Sequence, residues 1–186
     1  MEKDRKIRKT KRALHQALLS LLEEKDLGKI TVTQLCERAD INRSTFYVYY
    51  AIPQDCFHEM AQEVMDEIVQ QMHCDKVKTV RDFFEIYFKS ACSNKVLFRT
   101  IHRTNISNVY IRYLVDEFLK INLVDSNTDE IMIRFICYGF FGVTQDWLEN
   151  REDTSYDDII RIMVDLSNNM KTTKKEKVLD TLQIKN

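Results

Sequence analysis

A chain of 186 residues that holds three glycines and one proline has few places where it can reverse sharply. Sheets of this size need many tight turns, and such turns draw on glycine and proline. The scarcity predicts an all-α protein. Apolar residues recur at helical spacing, as in Leu14, Leu18, Leu21 and Leu22. Helices are predicted near 6–24, 32–39, 43–48, from Pro53 through Met72, and near 79–92, 94–101, 105–121, 128–149 and 155–171, about nine in all. A polar tail after Lys171 is either disordered or leads into a short final helix through Val178, Leu179 and Leu182. Thr31 through Gln34 fits a capping box at the start of the second helix. Asp40-Ile41-Asn42 breaks the pattern after it, with residue types that tolerate the left-handed turn conformation. Pro53 suits a first helical turn, where no N–H is needed.

Several function classes find no support. The most apolar stretch, Ile131 to Leu148, contains Arg134, Gln145 and Asp146, so it reads as a buried helix and not a membrane span. The charged start, Met1 to Lys6, has no apolar run behind it at signal-peptide spacing, which predicts a cytoplasmic protein. Cys36, Cys56, Cys74, Cys92 and Cys137 are at least eighteen residues apart, so they read as scattered reduced thiols and offer no CxxC pair. His15, His58, His73 and His102 form no i,i+4 pair, and there is no glycine-rich phosphate loop. No catalytic residue, metal ligand or cofactor is expected, and the chain is not read as an enzyme.

Charge is distributed unevenly. Residues 1–50 carry eleven Lys/Arg against seven Asp/Glu, while the remainder has seventeen against twenty-two. The basic excess sits in Lys3, Arg5, Lys6, Arg8, Lys9, Lys11 and Arg12. A basic arm on an otherwise acidic protein points to a polyanionic partner at one end.

Two short helices joined by a tight turn at 31–48, braced by a longer helix before them, form a helix-turn-helix. The second short helix of such a unit enters the DNA major groove. At about 100° per residue, placing Phe46 toward the core puts Ser44 nearly opposite, with Thr45 and Tyr47 on the flanks. Hydroxyls can bond base edges or phosphates, and Arg43 near the helix start can reach a phosphate or a guanine edge.

These residues carry a resemblance. Ile30-Thr31-Val32, Leu35-Cys36, Ala39 and above all Ile41-Asn42-Arg43-Ser44-Thr45-Phe46-Tyr47-Val48-Tyr49-Tyr50 resemble the TetR/AcrR family of transcription regulators, as does Lys9 to Leu14 upstream. The likeness covers roughly residues 8–60. It implies an N-terminal three-helix DNA-binding domain, residues 1–52, and a C-terminal helical regulatory and dimerisation domain, residues 53–186. It further implies phosphate contacts from Thr31 and Thr33, base and phosphate contacts from Asn42, Arg43, Ser44, Thr45 and Tyr47, and a backbone contact near Tyr49. Lys9 and Arg12 of the arm join that set. The chain departs from the family at Asp40, where glycine is usual, and at Pro53, where a lysine is usual; the second change shifts DNA affinity toward the arm.

Beyond residue 60 the resemblance is one of general character, apart from Tyr138-Gly139-Phe140-Phe141-Gly142 followed by Trp147-Leu148, which resembles one subgroup. The family's last two long helices form a dimer interface, which here implies Phe135, Gly139, Gly142, Trp147, Ile159, Met163 and Leu166. Phe83, Tyr87, Phe98, His102, Tyr110 and Tyr113 are aromatic candidates for a ligand pocket, or else plain core. The resulting expectation is a homodimeric regulator of a double-stranded DNA operator, most often a repressor released by a small-molecule effector. Two alternatives stand beside it: the same fold as an activator or co-regulator driven by a protein partner, and a helical enzyme or interaction module that binds no DNA.

Overall fold

The computed structural model describes residues 2–74, 77, 79–104, 106–120, 127–150 and 154–172. Among them the chain is helical throughout: α1 (Glu2–Glu24), α2 (Val32–Ala39), α3 (Arg43–Phe46), α4 (Pro53–Met72), α5 (Val80–Ser93), α6 (Lys95–Arg103), α7 (Ser107–Lys120), α8 (Asn127–Asn150) and α9 (Tyr156–Thr172), with a single 3-10 turn at Leu27–Lys29 and no strand. The expected final helix through Val178 and Leu182 lies outside the described residues. Within the described residues no helix is long and apolar enough to cross a membrane, and no cluster of three or more His, Cys, Asp or Glu side chains is arranged to hold a metal.

By packing the chain divides into two compact units. One comprises the residues up to Gln70 together with Ser90–Tyr110; the other comprises Gln71–Lys89 and the residues from Ile111 onward.

In the first unit, Leu14, Ala17, Leu18 and Leu21 of α1 are buried with Leu35 of α2 and Phe46 of α3. That stripe, spaced three and four residues apart, is what sets the axis of α1 against the two short helices. Arg38 fastens α2 to α1 from outside, donating to Ser20 Oγ at 2.6 Å and pairing with Glu24 at 2.8 Å. The capping box is present in full: Gln34 N–H donates to Thr31 Oγ1 at 3.3 Å, and Thr31 N–H donates to Gln34 Oε1 at 3.1 Å. At the start of α4 the Asp55 carboxylate accepts from the Ala51 and Ile52 N–H groups at 2.9 and 3.1 Å, so the turn into the helix is held from within its first turn.

Asp40 ends α2 in the left-handed region, φ 53° and ψ 47°, and is the one non-glycine residue described there. A side chain pays a steric penalty in that conformation, and a carboxylate at a helix C-terminus faces the negative end of the helix dipole. Asp40→Gly is therefore expected to raise stability by about 0.5–1 kcal/mol, read as a higher thermal midpoint with α2 and α3 unchanged.

The second unit is built on aromatic rings. Phe84 of α5 stacks on Phe140 of α8 at 3.8 Å between centroids, Phe83 meets Phe118 of α7 at 4.7 Å, and Tyr87 meets Phe141 at 4.8 Å edge-on. Phe88 closes the cluster against Trp147 and Tyr156. Burial pushes the Tyr87 hydroxyl well above the usual tyrosine range, and it pushes the Cys137 thiol up to about 12. That thiol is inert at neutral pH, as burial among apolar groups dictates.

Candidate nucleic-acid interface

Only four residues make α3, so its position depends on its ends. Asn42 caps it: the side-chain carbonyl accepts from Ser44 N–H and from Ser44 Oγ, both at 3.0 Å. Phe46 is wholly buried and touches the rings of Tyr47 and Tyr50 at 5.6 and 5.8 Å. With one aromatic fixed inward, the rest of the turn faces out. Arg43, Ser44 and Tyr47 are exposed, Thr45 and Tyr49 are half-buried, and Tyr47 keeps 53% of its surface open. Past Phe46 the chain does not continue as α-helix to residue 48 as the sequence led us to expect. It tightens into i→i+3 turns, Val48 N–H to Thr45 O and Tyr49 N–H to Phe46 O.

Arg43 and Tyr47 lie one turn apart, and the nearby Tyr47 hydroxyl holds the guanidinium above its usual range. This pre-orients two groups that suit phosphate or base-edge contact. Thr31 is exposed, and its Oγ1 accepts the capping bond from Gln34 while its own proton stays available to donate. Thr33 and Asn42 are exposed, at the two short-helix starts. Lys9 and Arg12 are exposed on α1, which begins at Glu2, so much of the arm is ordered helix and not a loose end.

Sequence reasoning did not find the polar cluster that secures this head. Glu59 of α4 accepts from Lys11 of α1 and from the Tyr50 hydroxyl. Lys11 also sits 5.7 Å from the Tyr50 ring centroid, and His15 Nε2 lies 3.2 Å from Tyr50 Oη. Since the Tyr50 proton goes to Glu59, the imidazole donates through Nε2–H. Lys11, part of the basic arm in sequence, thus has an internal role. Burial raises Glu59, but the bonds from Lys11 and Tyr50 and the Lys11 charge outweigh it and hold Glu59 below its ordinary range. Burial, joined by the bond to Glu59, drives Tyr50 upward.

A depressed carboxyl contributes stability above its unfolded pKa and loses it as pH falls through the folded value. The thermal midpoint is expected to drop on the acid side of about pH 4.3, the usual glutamate value, and Glu59→Gln is expected to flatten that part of the profile. An unchanged acid limb in the variant would show that the cluster carries no linkage.

Other sequence candidates fall as follows. Phe135 is exposed at 67%, beside Ile131 at 72% and Tyr138 at 44% on α8, while Ile162 and Leu166 are exposed at 55% and 53% on α9. Ile159 and Met163 are half-buried. A Cβ placed on Gly139 or Gly142 would meet nothing within 4 Å. Trp147 is buried, and its indole N–H donates to Thr154 O at 2.8 Å. Of the pocket candidates, Phe83, Tyr87 and Tyr113 belong to the second packing unit and Phe98, His102 and Tyr110 to the first. Phe83, Tyr87 and Phe98 are fully enclosed. Tyr110 Oη donates to His58 O at 3.4 Å.

Comparison with known proteins agrees with this architecture. Residues 95–169 match the model of a TetR-type transcriptional regulator C-terminal region. An uncharacterized HTH-type transcriptional regulator of Bacillus subtilis (strain 168), YxbF, is 34% identical over 70 residues; the match spans 37% of this chain and 18% of that protein. A TetR transcriptional regulator from Streptococcus agalactiae 2603V shares the fold with a TM-score of 0.69 at 23% identity, covering 90% of this chain and 98% of that one. NalD of Pseudomonas aeruginosa, described as the secondary repressor of the MexAB-OprM multidrug efflux pump, shares it with a TM-score of 0.67 at 16% identity, over 87% and 96% of the two chains. The class of fold these features define is the helix-turn-helix architecture seen in transcription regulators. The chain's fold is that of the TetR regulators it resembles.

Proposed function

We propose that the protein is a homodimeric repressor that binds a pseudo-palindromic DNA operator through α3 and the adjoining arm, and that a small-molecule effector releases it. The observation that carries this reading is the α3 turn: Phe46 wholly buried, Asn42 capping, and Arg43, Ser44 and Tyr47 turned to solvent. A buried anchor beneath a short helix of hydroxyls and a guanidinium is what groove insertion requires. Thr31, Thr33, Thr45, Tyr49, Lys9 and Arg12 flank it as phosphate or sugar contacts.

The dimer is proposed to form through α8 and α9. Ile131, Phe135 and Tyr138 recur at i, i+4 and i+7, which puts them on one stripe, and the chain itself leaves them exposed. Gly139 and Gly142 extend that face, and a Cβ on either would meet no neighbouring element among the described residues within 4 Å, so a partner helix can approach closely there. Leu166 joins the interface from α9, with Ile159 and Met163 at its edge. Trp147 is left out of it, since its ring is already covered.

Titration of fluorescent fragments of the DNA upstream of the gene, over a salt series, tests the reading. Saturable binding is expected, with log K falling linearly in log salt by about 0.9 per phosphate neutralised. Absent or salt-insensitive binding would count against it. A reporter on the same promoter gives the sign: expression rises on deletion of the gene for a repressor and falls for an activator.

A further inference from the structure

Within the first packing unit, α1, α4 and the α5–α6 junction enclose an open cleft of about 520 Å³. That volume lies inside the ordinary range for small-molecule sites. Leu19 of α1, Val64 of α4 and Leu97 of α6 give it apolar walls, and Glu23 and Glu63 bring two carboxylates against one ammonium, Lys95. Burial lowers the pKa of a further wall residue, His15, against the opposing fields of Glu63 and Glu59, so the imidazole adds no fixed positive charge at neutral pH; burial raises the Cys92 thiol, which adds no negative charge there. None of the six aromatic pocket candidates lines this cleft.

We propose that this cleft is the effector site and that it takes a small organic cation with a compact apolar body. The apolar walls supply contact area, and the excess carboxylate selects the sign of the charge. The site also has a route to the reading head. His15 lies in its wall and bonds to Tyr50, four residues beyond Phe46, and Tyr50 bonds to Glu59 of α4. An occupant that favours one rotamer of His15 therefore biases the segment that follows α3, as differential affinity for two states demands. This inference rests on the reading of the chain as a ligand-controlled regulator.

The test uses two probes of matched shape and opposite charge, adamantylammonium and adamantanecarboxylate, with the full-length protein. Thermal shift and amide NMR are read without DNA. Adamantylammonium is expected to raise the thermal midpoint and to move the Leu19, Val64 and Leu97 amides. Glu63→Gln, at an exposed position that leaves the fold intact, is expected to weaken binding about tenfold, the loss of one partly desolvated ion pair. Val64→Phe is expected to fill the cleft and abolish binding. Failure of the cation to bind, tighter binding of the carboxylate, or indifference to Glu63→Gln would each overturn the proposal. DNA titration of the same preparation keeps the two readings apart: DNA binding without cation binding sinks this inference alone, and cation binding without DNA binding sinks the regulatory reading and leaves the cleft a cation site but not an effector site.

Discussion

Phe46→Ala is expected to be the most damaging single substitution in the N-terminal head, costing about 3–5 kcal/mol and abolishing operator binding. The ring is wholly buried and meets Tyr47 and Tyr50 edgewise or tilted. Removing it leaves a cavity under a four-residue helix held otherwise by one cap and the short turns that follow it. Small domains are stable by only about 5–15 kcal/mol, so the loss consumes much of what the head has. Phe46→Leu retains most of the volume and is expected to cost under about 1.5 kcal/mol. Urea denaturation followed by tyrosine fluorescence, with DNA binding measured on the same samples, separates the two. If the alanine variant melts and binds as the parent does, α3 is not held by this ring.

The second large effect is expected at Phe135. It is the largest exposed apolar side chain on α8, flanked by Ile131 and Tyr138. In a two-fold interface every residue acts twice, so Phe135→Glu removes two aromatic contacts and buries two carboxylates near one another. Aromatic anchors at interface centres are worth about 2–4 kcal/mol each, and an unpaired buried charge adds to the loss. The variant is expected to run as a folded monomer in light scattering and to lose tight operator binding, because each half-site then binds alone. Its helical content should be unchanged, since Phe135 touches little within its own chain. A dimer that persists in Phe135→Glu would place the interface elsewhere.

The two cases differ in how far sequence could anticipate them. Phe46 and its neighbours were legible because everything that fixes them is local. The Thr31–Gln34 box and the Asn42 cap are bonds across three and two residues, and Phe46 has one inward direction available. The Lys11–Glu59–Tyr50 cluster was not legible, because Lys11 and Glu59 are 48 residues apart and Lys11 reads in sequence as one more charge on a basic arm. The α8 helix shows a different limit. From Ile131 to Leu148 apolar residues fall on most sides despite Arg134, Gln145 and Asp146, so periodicity cannot tell the face turned inward from the face turned outward. Trp147 reads like Phe135 in sequence, yet one is covered and bonded to Thr154 while the other stands open. The aromatic residues of α5 met the same difficulty: rings spaced to line a pocket are also spaced to fill one, and Phe83, Phe84 and Tyr87 are packed against Phe118, Phe140 and Phe141.

The solvent-facing side of α3 is proposed to be the DNA-contacting surface. Arg43→Ala and Tyr47→Ala test it most directly, since both residues are exposed and their truncation should move the thermal midpoint little. The measurement is operator affinity for each variant beside its melting curve. The expected result is a loss of about 1–3 kcal/mol in DNA binding per substitution, with melting unchanged and with the salt slope lowered where a phosphate contact is lost. Wild-type affinity in both variants, with the fold intact, would contradict the account.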